Sequence, residues 1–277
     1  MEDVVQKIGN STLHHGKKSN RIYLMKLDES DLSGISHKLD RLAEKNLYTK
    51  IVAKIPCKFK NIFLENGYEQ EAFIPKFYNG YGDGCFVCKY FDEQRKENVL
   101  NSECKEILQI AQKKDVPDVK KSLEKGYVCR RANENDIPSI VNLYRAVFKS
   151  YPFPIFEEKY IIQTMKENVI YFGIWNEEKL VALSSIEMDK QNCNAEMTDF
   201  AVLNEYRGNG FALYLLEEME KNFSRLNIKT AFTIARAKSA GMNITFAKKG
   251  YIYAGTLVNN TDIAGQIESM NVWYKNI

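Results

Sequence analysis

Arg207-Gly208-Asn209-Gly210-Phe211-Ala212 is the stretch on which the reading of this chain turns. It follows a strand-like run, Ala195 to Leu203, and opens a segment where Phe211, Leu215, Met219 and Phe223 recur at helical spacing. A glycine loop at the mouth of a helix presents consecutive backbone N–H groups together with the positive end of the helix dipole. Such a loop can cradle a pyrophosphate. Gly208 and Gly210 let phosphate oxygens approach the backbone, and the small Ala212 keeps the first turn open. The stretch satisfies the pattern Gln/Arg-x-x-Gly-x-Gly/Ala. It is not a Walker A loop, because no Lys-Ser/Thr follows, and it lacks the three glycines of a dinucleotide fingerprint. The bland alternative is a glycine turn.

Working outward, Asn135-Asp136 with Pro138 predicts a helix to about Lys149, which Tyr151-Pro152-Phe153-Pro154 ends. A second helix is predicted from Phe156 to Lys166. Val169 to Trp175, Leu180 to Met188 and Ala195 to Leu203 read as three strands with short turns, hence an antiparallel meander. After the loop and its helix come a strand (Ile228 to Ala235), a helix (Ser239 to Lys249, stopped by Gly250) and two strands (Tyr251 to Val258, Gln266 to Tyr274). The order ααβββ-loop-αβαββ predicts an α/β fold of α+β type with a mixed sheet.

The first half echoes the end of this unit. Lys60 to Tyr68 parallels Thr245 to Tyr251, with Phe63 and Phe246 offset by 183 residues. Upstream, Arg21 to Leu27, Asp31 to Lys45 and Tyr48 to Ile55 read as strand, helix and strand, without an Arg-Gly-x-Gly loop. Ser102 to Lys125, interrupted by Pro117, reads as a helical linker. The expected organisation is a degenerate half over residues 1–125, with the linker at about 98–125, and a complete unit over 126–277.

The 277 residues are 44% hydrophobic, 27% charged and 12% aromatic, which argues for a folded chain rather than a disordered one. Lys plus Arg number 39 against 36 acids, with the charges interspersed, so no phosphate-tracking stripe emerges and nucleic acid is not the expected partner. No apolar run approaches the roughly 20 residues that cross a bilayer, and the start lacks a signal-peptide plan. No membrane partner and a cytoplasmic location are expected, and homo-oligomerisation is left open. Six dispersed cysteines in such a chain are expected to be reduced. Cys85-x-x-Cys88 is either half of a zinc site or strand packing. Its apolar surroundings favour packing, so no metal is expected. His14, His15 and His37 all precede residue 40, which excludes a Ser-His-Asp hydrolase in the second half. His14 and His15 read as solvated turn residues without a role.

In this strand, this loop and this helix, residues 126–277 resemble the GNAT N-acetyltransferase superfamily. The resemblance implies a GNAT fold in that half, a partial GNAT-like repeat in the first, and acetyl-CoA as co-substrate. It implies further that Asp199-Phe200-Ala201-Val202-Leu203 pairs its backbone with the pantetheine arm. The loop Arg207, Gly208, Asn209, Gly210, Phe211 and Ala212 would hold the pyrophosphate, and Asn243 would contact the cofactor. Arg21-Ile22-Tyr23-Leu24-Met25-Lys26, Tyr151-Pro152-Phe153-Pro154, Gly255 to Thr261 and Glu268 to Tyr274 resemble a narrower group, the beta-lysine N6-acetyltransferases. That group implies acetylation of the terminal amine of β-lysine, a small-molecule partner, to give a compatible solute used in osmoadaptation. The competing readings are a GNAT enzyme for another amine, such as a polyamine or a protein lysine, and a non-catalytic acyl-CoA-binding module.

Glu196 matches the catalytic glutamate of several GNAT members, and period two sets it on one strand face with Thr198 and Phe200. Asp199, the second catalytic candidate, falls on the other face unless a bulge intervenes. Many GNAT enzymes protonate the leaving thiolate with a Tyr where this chain has Phe246, so water, the product ammonium, Tyr214 or Tyr253 must take that part. Tyr151 and Phe153, in the segment between the first two helices, are expected over the acceptor. Glu268 and Asn271 are expected at the ammonium and carboxylate of the substrate.

Overall fold

Period-two apolar runs separated by Gly- and Asn-bearing turns dominate the chain, and its computed structural model, which describes residues 3–97, 102–113 and 122–277, turns them into a sheet. The first half contains β1 (Val4–Ile8), β2 (Ser11–Gly16), β3 (Arg21–Lys26), α1 (Ile35–Asn46), β4 (Lys50–Pro56) and α2 (Lys60–Leu64). It continues with β5 (Glu69–Tyr78), β6 (Gly82–Tyr90), α3 (Glu93–Glu97) and α4 (Ser102–Gln112). The second half begins with β7 (Tyr127–Arg131), α5 (Ile137–Val147), α6 (Glu158–Glu167), β8 (Val169–Asn176), β9 (Lys179–Asp189) and β10 (Asn194–Val202). It ends with α7 (Phe211–Glu220), β11 (Thr230–Arg236), α8 (Ala240–Lys248), β12 (Ile252–Ile263) and β13 (Gln266–Asn276).

Among the described residues all strands join one sheet, ordered β1-β2-β3-β4-β6-β5-β12-β13-β11-β10-β9-β8-β7. In the second half, β7 to β10 form the antiparallel meander, β10 and β11 run parallel, and β13 lies antiparallel between β11 and β12. The first half repeats this sequence of senses. β2 and β3 are antiparallel, β3 and β4 parallel, and β6 lies antiparallel between β4 and β5, so β2-β3-β4-β6-β5 matches β9-β10-β11-β13-β12. The halves meet where β12 pairs with β5 at Gly255 and Ala72. Gly255 has φ +147°, and a Cβ there would lie 2.0 Å from the Glu71 carbonyl oxygen, so only glycine permits the join.

The start of α5 follows from its sequence: Asn133 and Asp136 form a reciprocal capping box, and Pro138 occupies the first turn. Buried Leu215, Leu216 and Met219 of α7 pack on Ala195 and Met197, while a separate core sits under α1. A cluster containing Tyr23, Val52, Phe77, Phe232, Leu257 and Met270 unites the halves, with the Phe77 and Phe232 rings 5.0 Å apart. Burial of such apolar surface is the main cohesive term between them. No helix among the described residues is long and apolar enough to cross a membrane.

Several expectations need correction. Cys57 and Cys85 are joined in a disulfide, so not all cysteines are thiols. Cys85 packs with Ile51 and Val87, while Cys88 lies in the cluster of Val52 and Phe86 on the other face of β6, so period two separates the pair. His14 and His15 are not solvated turn residues. They are buried within β2, paired with β1 and β3, because their packing partners lie far away in sequence. Of the predicted linker, α4 is present and buries Cys104, Ile107 and Ala111, whereas Pro117 lies outside the described residues.

Candidate active site

Strand register builds the site. Glu196 of β10 stands directly opposite Glu187 of β9, and both line a cavity of about 850 Å³. The β9–β10 register then shifts between Thr198 and Ala201, and Asp199 takes φ +56°. This is the bulge on which the face of Asp199 depended. It turns Asp199 toward the cavity that Glu196 lines, so the two candidates share one compartment. Ser185 Oγ donates to Asp199 Oδ2 at 2.7 Å and the Tyr151 hydroxyl donates to Oδ1, which orients the carboxylate. The parallel β10–β11 ladder ends at Glu196 and Phe232, and the later residues of β10 have no ladder partner on that side.

Three carboxylates facing one cavity cannot all ionise freely. Burial pushes the Glu196 carboxyl up to about 8, Glu187 reinforces the rise, and Lys54 of β4 opposes it. Burial also raises Glu187, against Lys54. Asp199 is raised by burial and held back by its bonds from Ser185 and Tyr151. The carboxyl of Glu196 therefore titrates near physiological pH, where a proton acceptor is useful.

The loop lies at the rim. Arg207, Gly208, Gly210, Phe211 and Ala212 line the cavity. Gly208 has φ +88° with no atom within 4 Å of where a Cβ would stand, and Gly210, at φ +76°, is the N-cap of α7. Open backbone at a helix N-terminus fits a phosphate. The Asn209 side chain points elsewhere, donating to the Tyr206 carbonyl at 3.1 Å. Phe200 and Val202 also line the cavity, whereas the Ala201 side chain is buried in the core on the other side, leaving only its backbone for a ligand. The first half has a related turn before α1, ending in Gly34 at φ +83° as α7's ends in Gly210. Counting back from those glycines, Leu32 replaces Gly208 and Asp31 replaces Arg207. The Asp31 carboxylate accepts from the backbone N–H groups of Asn10 and Ser11 in the β1–β2 turn, so an acid tied to that turn stands where the second half has Arg207.

Tyr151, Pro152, Phe153 and Ile155 wall another side. His14 of β2 donates from Nε2 to the Pro152 carbonyl at 3.1 Å, and its ring lies 4.6 Å from that of Phe153. Burial, with Arg21 adding, pushes His14 down to about 4, so the imidazole is neutral at physiological pH. The first half thus buttresses the segment from Tyr151 to Pro154, which gives the two histidines' strand a structural part that local reading missed. β3 alternates, with Ile22 and Leu24 fully buried beneath the sheet and Arg21, Tyr23 and Met25 lining the cavity.

Three sequence-derived site residues lie elsewhere. The Asn243 amide is consumed in the core: Nδ2 donates to the carbonyls of Arg236 and Ser239, and Oδ1 accepts from Asn271 and Trp273. Asn271 also accepts from Thr256 at 2.7 Å. Glu268 is buried and clasped by Arg236 at 2.7 and 2.9 Å, which satisfies it without a substrate. None of the three lines the cavity. The family resemblance put Asn243 at the cofactor and hairpin position put Glu268 and Asn271 at the substrate, but side-chain direction turned all three toward β11 and β13. Phe246 does line the cavity, edge-on to Phe200 at 5.6 Å. The suggested proton donors Tyr214 and Tyr253 are both absent from its wall, and Tyr253 bonds Thr256 at 2.6 Å. Lys54 and Arg21 were missed because each reaches the site from the first half of the chain, and Glu187 because only the β9–β10 register sets it opposite Glu196.

The profile of the acetyltransferase (GNAT) family matches residues 137–251. A beta-lysine N(6)-acetyltransferase of Methanococcus maripaludis is 41% identical over 275 residues, spanning 99% of this chain and 99% of its own. N-acetyltransferase YodP of Bacillus subtilis is 30% identical over 267 residues, 96% of each chain. A beta-lysine N(6)-acetyltransferase of Methanosarcina mazei is 32% identical over 260 residues, 86% of this chain and 95% of its own. Near full-length identity of this order, joined to the bulged β10, the splayed β11 and the glycine loop before α7, makes the chain a member of the GNAT family of acetyltransferases.

Proposed function

We propose that this enzyme transfers the acetyl group of acetyl-CoA to the terminal amine of β-lysine, giving N6-acetyl-β-lysine, a zwitterionic compatible solute. The 41% identity along the whole length of a beta-lysine N(6)-acetyltransferase carries the reading, and the cluster of Glu187, Glu196 and Asp199 in the cavity suits the ammonium of a cationic acceptor. The residues present fit acetyl-CoA: the loop from Arg207 to Ala212 for the pyrophosphate, and the unpaired edge of β10 beyond Glu196 for the amide-bearing arm. Bound there, acetyl-CoA supplies a thioester carbonyl open to attack.

The protein must deliver a neutral amine. At a pKa of about 10.4, deprotonating a lysine-type ammonium at pH 7 costs about 4.6 kcal/mol. Glu196 receives that proton, directly or through one water, while Asp199, fixed by Ser185 and Tyr151, holds the ammonium in place. The Val202 backbone N–H is assigned to the developing oxyanion. No acyl-enzyme is required. Residues 1–125 act as a degenerate GNAT-like half that binds no acetyl-CoA, because Asp31 and Leu32 stand in place of Arg207 and Gly208, and that walls the acceptor pocket, while 126–277 carries the chemistry.

Mixing the protein with acetyl-CoA and β-lysine and locating the added acetyl group by fragmentation mass spectrometry tests the reading. Acetylation at N6 is expected. Acetylation of spermidine or peptide lysines in preference to β-lysine would refute the substrate, and CoA binding without any turnover would refute the enzyme.

A further inference from the structure

β3 is a strand of the first half, yet its Arg21 ends in the cavity of the second. The side chain is 3% exposed, and its Nε and Nη1 have no hydrogen-bond partner among the described residues. Its guanidinium lies 5.3 Å from the Tyr23 ring centroid. The acid that acts on it, Asp3, spends its carboxylate on the backbone N–H groups of Lys18 and Ser19, and the neighbouring charge of Arg95 is repulsive. Arg95 itself is satisfied, donating to the Ser19 and Asn259 carbonyls at 2.7 Å, which ties the start of β3 to β12. On that part of β12, Asn260 is 2% exposed, lines the same cavity and also has an unpartnered Oδ1.

A buried guanidinium with free donors in a ligand cavity is an incomplete ion pair, since buried charges are ordinarily compensated. Its fork geometry matches a carboxylate, which supplies both charge and acceptors. Arg21, Glu196 and Glu187 line one cavity, and Tyr23, on its wall, feels the charge of all three, so the cation and the acid cluster belong to one compartment. An acceptor carrying a carboxylate at one end and an ammonium at the other is oriented by that arrangement with its amine toward Glu196.

We propose that Arg21, supplied by the non-catalytic half, binds the carboxylate of the acceptor and makes the enzyme select amino acids over diamines. This rests on the reading of the acceptor as a diamino acid. Arg21 is a specificity residue and takes no part in proton transfer.

The test removes each side of the contact in turn, the guanidinium from the protein and the carboxylate from the acceptor. Wild type and Arg21→Gln are compared on β-lysine, on its methyl ester and on 1,4-diaminopentane, the diamine left when the carboxylate is removed. With wild type, kcat/KM for the ester and the diamine falls about 10²-fold below that for β-lysine, a size suited to one buried charged bidentate contact. In Arg21→Gln the β-lysine value drops by a similar factor, chiefly through KM, while the ester and diamine values move less than about 3-fold. Arg21→Lys recovers part of the discrimination. A uniform loss on all three compounds, or a wild type that does not discriminate against the ester, overturns the proposal while leaving β-lysine as substrate. If another amino acid proves the better substrate and shows the same dependence on Arg21 and on its free carboxylate, the proposal stands and β-lysine does not.

Discussion

Replacing Glu196 with Gln removes the group that titrates in the cavity and keeps its shape. The Glu196 carboxyl is shifted from 4.5 to about 8 by burial and by Glu187, so at pH 7 roughly a tenth of it is ionised. Two consequences follow, one kinetic and one thermodynamic. In kcat, the wild type rises by at most about tenfold between pH 7 and 9 as this carboxyl ionises. Glu196→Gln lowers kcat at pH 7 by about 10²–10⁴-fold, the usual range for losing a general base, and loses the inflection near 8. For stability the sign is opposite to that of a salt-bridged acid. The raised carboxyl stays protonated in the folded protein while the unfolded chain ionises from 4.5 upward, so folding is penalised progressively as pH climbs toward 8. Between pH 5 and 8 that penalty amounts to about 3 kcal/mol. Urea unfolding of both proteins without ligands, across that range, reads it directly: the variant gains on wild type as pH rises. Near wild-type kcat at pH 7 in the folded variant would refute the base assignment. A wild type and a variant whose stabilities run parallel from pH 5 to 8 would refute the raised ionisation on which the argument depends.

Gly210→Asp puts a carboxylate at the N-cap of α7, where the left-handed backbone at φ +76° costs about 1–2 kcal/mol for a side chain. Calorimetry should show acetyl-CoA affinity reduced more than about 100-fold in a folded protein, because two anions would compete for one helix N-terminus. Tyr151→Phe removes the hydroxyl donor to Asp199 and frees that carboxylate to rotate. Its kcat should fall by about 10-fold with acetyl-CoA affinity unchanged, and steady-state kinetics with varied acceptor and varied acetyl-CoA separate the two effects.

The local patterns carried the architecture of the second half. Alternation over residues 169–203 and the apolar stripe of α7 are short-range signals, and they produced β8, β9, β10 and α7 to within a few residues. The glycine loop was legible for the same reason, since φ above zero and an open Cβ position are properties of single residues. The echo of the helix and strands about Phe63 and Phe246 was legible too, because it compares the chain with itself. What lay beyond local reading was direction and partnership. A one-residue bulge at Asp199 reversed the face that period two assigns, and whether a strand bulges depends on its neighbour's register. Asn243, Glu268 and Asn271 sit near the site along the chain, but their polar atoms were claimed by other partners, the farthest of them 28 to 32 residues away. His14, Arg21 and Lys54 entered the story only when the halves closed on each other, through contacts such as His14 to Pro152, 138 residues apart. A buried polar group is assigned by whichever partner desolvation forces upon it, and that partner is chosen by the tertiary fold. The sequence by itself therefore determined the elements, the family resemblance and the glycine loop, while the pocket's charges and the contribution of the first half were decided only where the two halves joined in one sheet.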